Sequence, residues 1–145
     1  LKYMEDLAME HNCSNYNIYH WSKAEVIQYN NVKKYHKIHK LPNLNFIDIL
    51  DIFKKEPITI KGLFNYGLKN VAEKMYEHNM INTIWDDKNI DGKEVMIYAW
   101  SCNDISKKTN KKISSMPLMK EIIKYNYYDC KVLNEIMNYI RKNMI

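Results

Sequence analysis

The segment from Pro117 to Lys142 constrains the fold most. Ile122, Tyr125, Asp129, Leu133, Ile136 and Ile140 recur at steps of three and four, the repeat of one α-helical face. Pro117 stands in the first turn, where its missing N–H is no loss. A long helix with one apolar stripe must lay that stripe against other elements. Asp129 falls on or beside the stripe, where a carboxylate is expensive unless it finds a partner.

The rest of the chain alternates between helical and strand-like patterns. Leu1 to Glu10 reads as a short helix with Leu1, Met4, Leu7 and Ala8 on one side. Asn15-Tyr16-Asn17 breaks it, and Ile18-Tyr19-His20-Trp21 is short, aromatic and strand-like. Ser22 with Glu25 has the spacing of a capping box, which predicts a helix to about Tyr35. Phe46-Ile47-Asp48-Ile49 predicts a second buried strand, followed by a turn of helix. A strand, a helix and a strand in that order predict parallel pairing.

Pro57 and Gly62 bracket a link. From Tyr66 to His78, Leu68, Val71, Ala72, Met75 and Tyr76 make one apolar helical face. Asp86 to Gly92 reads as a polar loop, Glu94 to Trp100 as a helix, and the Lys/Ser/Asn-rich stretch Asp104 to Ser115 as a mobile surface loop. The expected architecture is one α/β domain over residues 1–145, helix-rich, with a short, mainly parallel sheet.

No apolar run approaches the length of a membrane span. Cys13, Cys102 and Cys130 are odd in number and form no CxxC pair, so neither a zinc cluster nor a disulfide framework is favoured, and an intracellular, reducing setting is expected. The net charge of +5 is almost all lysine, since Arg141 is the one arginine. A Lys/Asn/Ile bias of this kind is what AT-rich coding produces, so part of the basicity is discounted, and the rest permits nucleic-acid binding and favours it only slightly.

Two constellations can carry chemistry. Tyr125 and Asp129 lie one turn apart on the same helical face, which places a phenol beside a carboxylate able to bind a metal. The bland alternative is a core tyrosine followed by a helix-surface Asp, and the five-letter pattern alone favours it. The second constellation is His20-Trp21-Ser22-Lys23-Ala24-Glu25, at the end of a strand and the opening of a helix, where α/β sheets place functional residues. Its bland alternative is the capping box.

Two other patterns are decoys. Asp87-Lys88-Asn89-Ile90-Asp91-Gly92 matches the first half of a calcium loop, but Glu94 and Tyr98 stand where an apolar residue and a bidentate Glu belong, so a solvated turn is favoured. His36 and His39 read as a basic helix end set against its dipole.

Taken together, these segments resemble the RNase H-like 3'–5' exonuclease domains of the four-carboxylate (DEDD, DnaQ-like) superfamily, found beside RecB-type nuclease and helicase modules. That family's last motif is Tyr-x-x-x-Asp, matched by Tyr125-Asn126-Tyr127-Tyr128-Asp129. Its second is an Asn or His after a strand with an acid five residues on, matched by His20 and Glu25. Between them come a strand ending in Asp, matched by Phe46-Ile47-Asp48-Ile49, and a helix beginning Ser-Leu-Lys, matched by Gly67-Leu68-Lys69. Order and spacing, rather than any one motif, carry the likeness over residues 17–142.

The resemblance implies an RNase H-like fold and a nuclease using Mg²⁺ or Mn²⁺ on the 3' ends of DNA or RNA. Glu25 and Asp129 would be metal ligands, Tyr125 would position water, and His20 would support the site or contact a phosphate. Asp48 is expected to be structural. A larger nuclease, helicase or polymerase polypeptide is the expected context.

The family's first motif, Asp-x-Glu on its first strand, has no match here. In that layout the first strands would lie upstream of Leu1, and residues 1–145 alone are expected to be weak or inactive. A function of another class stays open: a non-catalytic RNase H-like module that binds nucleic acid or protein. A third reading is a Lys-rich α/β domain whose motif matches are accidental.

Overall fold

The computed structural model describes residues 2–35, 44–85 and 92–144. By its internal contacts the chain divides into two compact units, Leu1–Tyr66 and Gly67–Ile145. The expectations for His36 and His39, and for the loop residues 86–91, lie outside the described residues.

In the first unit, helix α1 (Lys2–Glu10) precedes strand β1 (Asn17–His20), helix α2 (Ala24–Tyr35), strand β2 (Asn45–Asp48) and helix α3 (Ile49–Lys55). The strands pair in parallel, with Asn17 opposite Asn45 and His20 opposite Asp48. A helix joins them, as the two short β-rich runs and the helix between them predict. The core is built from Ile49 and Phe53 of α3, with Ile58 and Ile60 from the link that follows. Trp21 packs on Phe53 at 5.3 Å between ring centroids, and Tyr66 meets the same ring at 6.2 Å. Polar tips secure these aromatics, because the Trp21 indole N–H donates to the Tyr66 carbonyl at 3.0 Å and the Tyr66 hydroxyl to the Ile58 carbonyl at 3.2 Å.

The second unit is helical. Helices α4 (Leu68–Glu77) and α5 (Gly92–Thr109) pack on α6 (Pro117–Asn143), with a 3₁₀ turn at Ile113–Ser115 between the last two. The buried positions of α6 are Ile122, Val132, Ile136 and Ile140, so the apolar stripe read from the sequence is the packed face, with Val132 rather than Leu133 at its centre. In α4 the inward residues are Val71, Ala72 and Met75, whereas Tyr76 is exposed.

Two local expectations are corrected. Asp104–Ser115 is not a loop: α5 continues to Thr109, and the 3₁₀ turn covers Ile113–Ser115. Lysine is a good helix former, and the hydroxyls of Ser101 and Thr109 donate back to the carbonyls of Ile97 and Ile105, four residues earlier, so polarity here marks a solvated helix face. The capping box at Ser22 does not form either. Ser22 has φ 72°, its backbone N–H donates to Asp48, and α2 begins at Ala24.

Three of the described helices end on a left-handed asparagine. Asn12, Asn79 and Asn110 follow α1, α4 and α5 in the left-handed region, at φ 52°, 55° and 53°. After α4 the backbone closes a full Schellman motif: Asn79 N–H donates to the Tyr76 carbonyl at 3.0 Å and Met80 N–H to the Met75 carbonyl at 2.8 Å. With three glycines in the whole sequence, Asn takes the place glycine usually fills, since its short polar side chain tolerates this conformation.

The segment after α4 is tied to α6 through Glu135. That carboxylate accepts from Asn82 N–H at 2.7 Å, Thr83 N–H at 2.9 Å and the buried Thr83 hydroxyl at 2.6 Å. Burial opposes its ionisation, but the Thr83 hydroxyl, the two backbone N–H groups and the charge of Lys131 outweigh it and hold its pKa below the ordinary carboxylate value.

A group whose folded pKa is lowered stabilises above its unfolded pKa and loses that contribution as pH falls through the folded value. Glu135→Gln is therefore expected to cost about 1–3 kcal/mol at neutral pH, the cost of leaving buried donors poorly matched. The gap to wild type should narrow once pH drops below about 4, under the ordinary Glu pKa. Urea denaturation midpoints across pH test this, and a gap that is constant with pH would count against it.

Candidate functional site

The carboxyl ends of β1 and β2 bring His20 and Asp48 side by side, since they are the last register pair of the sheet. His20 is buried, with its ring edge against Phe46 at 5.7 Å. Its Nδ1–H donates to the Ser22 carbonyl. A carbonyl can only accept, so in the neutral ring Nε2 is the acceptor nitrogen. Glu25 lies in the first turn of the following helix, with Oε2 3.9 Å from His20 Nδ1 and a side chain 54% exposed. His20 and Glu25, paired in the sequence reading, are thus neighbours in the first unit.

Asp48 performs a different task. Its Oδ1 accepts from Leu50 N–H at 3.0 Å, capping α3, and from Ser22 N–H at 2.9 Å, clipping the turn after β1. Ser22 is held left-handed between His20 and Glu25, a conformation a serine rarely adopts, and strain of this kind gathers where surrounding bonds over-determine the backbone. The expected structural role of Asp48 is the one its bonds describe. Asp48→Ala should destabilise the chain by about 1–3 kcal/mol through loss of the cap and of the Ser22 donor's partner. A chemical denaturation curve unchanged by the substitution would contradict this.

An open cleft of about 550 Å³ lies beside these strand ends. His20, Lys23, Asp48, Asp51 and Lys55 supply its polar lining, and Val26, Ile27, Phe46, Ile47 and Ile52 its apolar walls. Lys55 and Asp51 pair across one helical turn at 3.5 Å. The carboxyl ends of parallel strands are where α/β sheets bind ligands.

The second unit carries the other candidate residues. Tyr125 and Asp129 stand one turn apart on α6, both half-buried. The Trp85 indole N–H donates to Asp129 Oδ1 at 2.9 Å. The ammonium of Lys69, near the start of α4, lies 5.0 Å from the Tyr125 ring centroid and 5.8 Å from that of Trp85. Asp129 therefore has the partner that its place on the apolar stripe demands.

Trp85 escaped the sequence reading because it is 44 residues from Asp129, and no spacing rule links them. Lys69 left a signal, the Gly67-Leu68-Lys69 helix start, but not its contact with Tyr125. The His20–Glu25 and Tyr125–Asp129 pairs belong to different units.

A family model described as RNase_H superfamily matches residues 2–141. The chain belongs to the RNase_H superfamily. Searches of curated proteins and of solved structures returned no match. Superfamily membership points to hydrolase-like chemistry on nucleic acids, and the helix-rich α/β fold with its short parallel sheet agrees with it. The match spans all the positions singled out above, His20, Glu25, Tyr125 and Asp129 included.

As for calcium at residues 87–98, Glu94 and Tyr98 lie inside α5 rather than in a binding loop, while residues 87–91 are outside the described ones. Among the described residues no helix is long and apolar enough to cross a membrane.

Metal ions are implied by the four-carboxylate resemblance, and the donors can be tested for fit. Among the described residues no group of three or more His, Cys, Asp or Glu is placed to hold an ion. Mg²⁺ is nevertheless commonly held by one or two carboxylates, with waters and substrate phosphate oxygens completing its shell. Asp129 is a half-buried carboxylate oriented by an N–H donor, the kind of oxygen donor such an ion takes, and Glu25, at the opening of α2 in the other unit, is a carboxylate of the same class.

Proposed function

We propose that this RNase_H superfamily chain is a metal-dependent nuclease domain of the four-carboxylate, 3'–5' exonuclease type, acting on DNA or RNA. The observation that carries the reading is the Asp129 carboxylate, fixed on α6 by the Trp85 N–H with Tyr125 one turn before it. Glu25 and Asp129 serve as ligands of Mg²⁺ or Mn²⁺. Bound ions of this kind supply the charge that activates water and stabilises the leaving oxygen. Tyr125 positions the attacking water through its hydroxyl. His20 supports the site, its Nδ1–H being committed to Ser22 and its Nε2 left to accept from a phosphate-bound water.

Two acids neutralise a pair of ions poorly, so full activity belongs to a polypeptide that also supplies an Asp-x-Glu strand, as part of a larger nuclease, helicase or polymerase. Oligonucleotides labelled at the 3' or the 5' end, incubated with and without Mg²⁺ or Mn²⁺, test the reading. Little digestion by residues 1–145, and metal-dependent loss of the 3' label first by the extended polypeptide, are the expected results. Metal-independent digestion would overturn the metal-dependent mechanism, and no digestion by the extended polypeptide would leave a non-catalytic binding module as the surviving reading.

A further inference from the structure

We propose that Trp85 is a positioning residue for Asp129, setting the rotation of its carboxylate and with it the affinity of that carboxylate for a divalent cation. The inference rests on the reading of Asp129 as a metal ligand and deepens it. An Asp side chain has a broad, roughly two-fold terminal torsion, so a carboxylate on a helix face sweeps a wide arc unless something holds one oxygen. The indole N–H can only donate, and a carboxylate oxygen at 2.9 Å is a well-made, charge-assisted acceptor for it.

Trp85 is itself held on two sides. Behind it in the chain, Ile81 and Thr83 are buried, and Thr83 is bonded to Glu135 of the same helix α6. Residues 81–85 are thus pinned to α6 at two acids, Glu135 and Asp129. On the other side the Lys69 ammonium lies within cation–π range of both the Trp85 and Tyr125 rings, tying the indole to the tyrosine that precedes Asp129 by one turn. The donor is therefore placed by the fold before any cation arrives. Partners that orient a ligand typically change metal affinity by about 10–100-fold when removed.

The test is carried out on residues 1–145 with Mn²⁺ as the probe. The chain has three tryptophans, Trp21, Trp85 and Trp100, and therefore three indole N–H signals in a nitrogen-labelled spectrum. Mn²⁺ should broaden the Trp85 signal selectively in wild type, and Asp129→Asn should abolish that broadening. Trp85→Phe keeps an aromatic ring and loses only the donor. Its Mn²⁺ affinity by electron paramagnetic titration should fall about 10-fold, the lower end for an orienting partner, with α6 helicity unchanged by circular dichroism.

If Asp129→Asn weakens Mn²⁺ binding while Trp85→Phe does not, the positioning role is overturned and the metal-ligand reading stands. If Mn²⁺ fails to broaden the wild-type Trp85 signal although Asp129→Asn lowers affinity, the positioning role is likewise overturned. This comparison decides the matter even for a Trp85→Phe chain that folds poorly. If Asp129→Asn leaves Mn²⁺ binding unchanged, the metal-ligand reading fails and the inference falls with it.

Discussion

Asp129→Asn is expected to reduce metal-dependent nuclease activity more than about 100-fold in a polypeptide that carries this chain together with an Asp-x-Glu strand. The magnitude follows from comparison with orienting partners, whose removal costs about 10–100-fold, since a direct ligand must cost at least the upper end of that range. Asn keeps the size and shape of Asp, and its side-chain oxygen still accepts from the Trp85 indole, so the fold should persist with little change in melting temperature. What disappears is the negative charge that a hard divalent cation requires. The measurement is an initial rate on a 5'-labelled oligonucleotide at saturating Mg²⁺, with Asp104→Asn, an exposed position on α5, as the control. Digestion by Asp129→Asn at the wild-type rate would remove Asp129 from the catalytic set.

The second large effect concerns stability. Phe53→Ala is expected to destabilise the chain by about 3–5 kcal/mol, the range for deleting a buried aromatic ring. Phe53 is fully buried, and Trp21 and Tyr66 pack on its ring, so removal opens a cavity that both neighbours border. Unit one has few alternatives, because its buried apolar residues are Ile49, Phe53, Ile58 and Ile60 among those described. A loss of this size is a large fraction of the roughly 5–15 kcal/mol by which domains are stable. Since Trp21 directly follows β1 and His20, the same substitution should loosen the cleft lining. Urea unfolding followed by tryptophan fluorescence reads the change, and a Tyr127→Ala chain, altered at an exposed site, should unfold almost as wild type does. A shift of less than about 1 kcal/mol for Phe53→Ala would mean that this ring is not the centre of the unit.

What could be read from the amino-acid order was whatever local periodicity encodes. The α6 stripe, the helix at α4, the two short strands and their parallel pairing all follow from spacing, β-rich runs and connection rules, and each is present. Membership of the RNase_H superfamily was legible for a related reason, since an order of motifs along the chain is something element succession preserves, and the superfamily model matches residues 2–141.

The readings that failed concern competition between partners. Polarity at residues 104–115 suggested a loop, yet packing of α5 on α6 with Cys102 buried carries the helix on to Thr109. Ser22 and Glu25 have the spacing of a cap, yet Asp48, 26 residues away, takes the Ser22 N–H. Trp85 and Glu135 likewise find their partners at separations of 44 and 52 residues. Helical and strand periods are properties of a short window and survive in the one-dimensional record. Which distant carboxylate meets which N–H depends on how the elements pack, because a buried donor takes whichever acceptor the fold brings within 3 Å, so the clip at Asp48 and the Trp85–Asp129 bond were decided by tertiary structure alone.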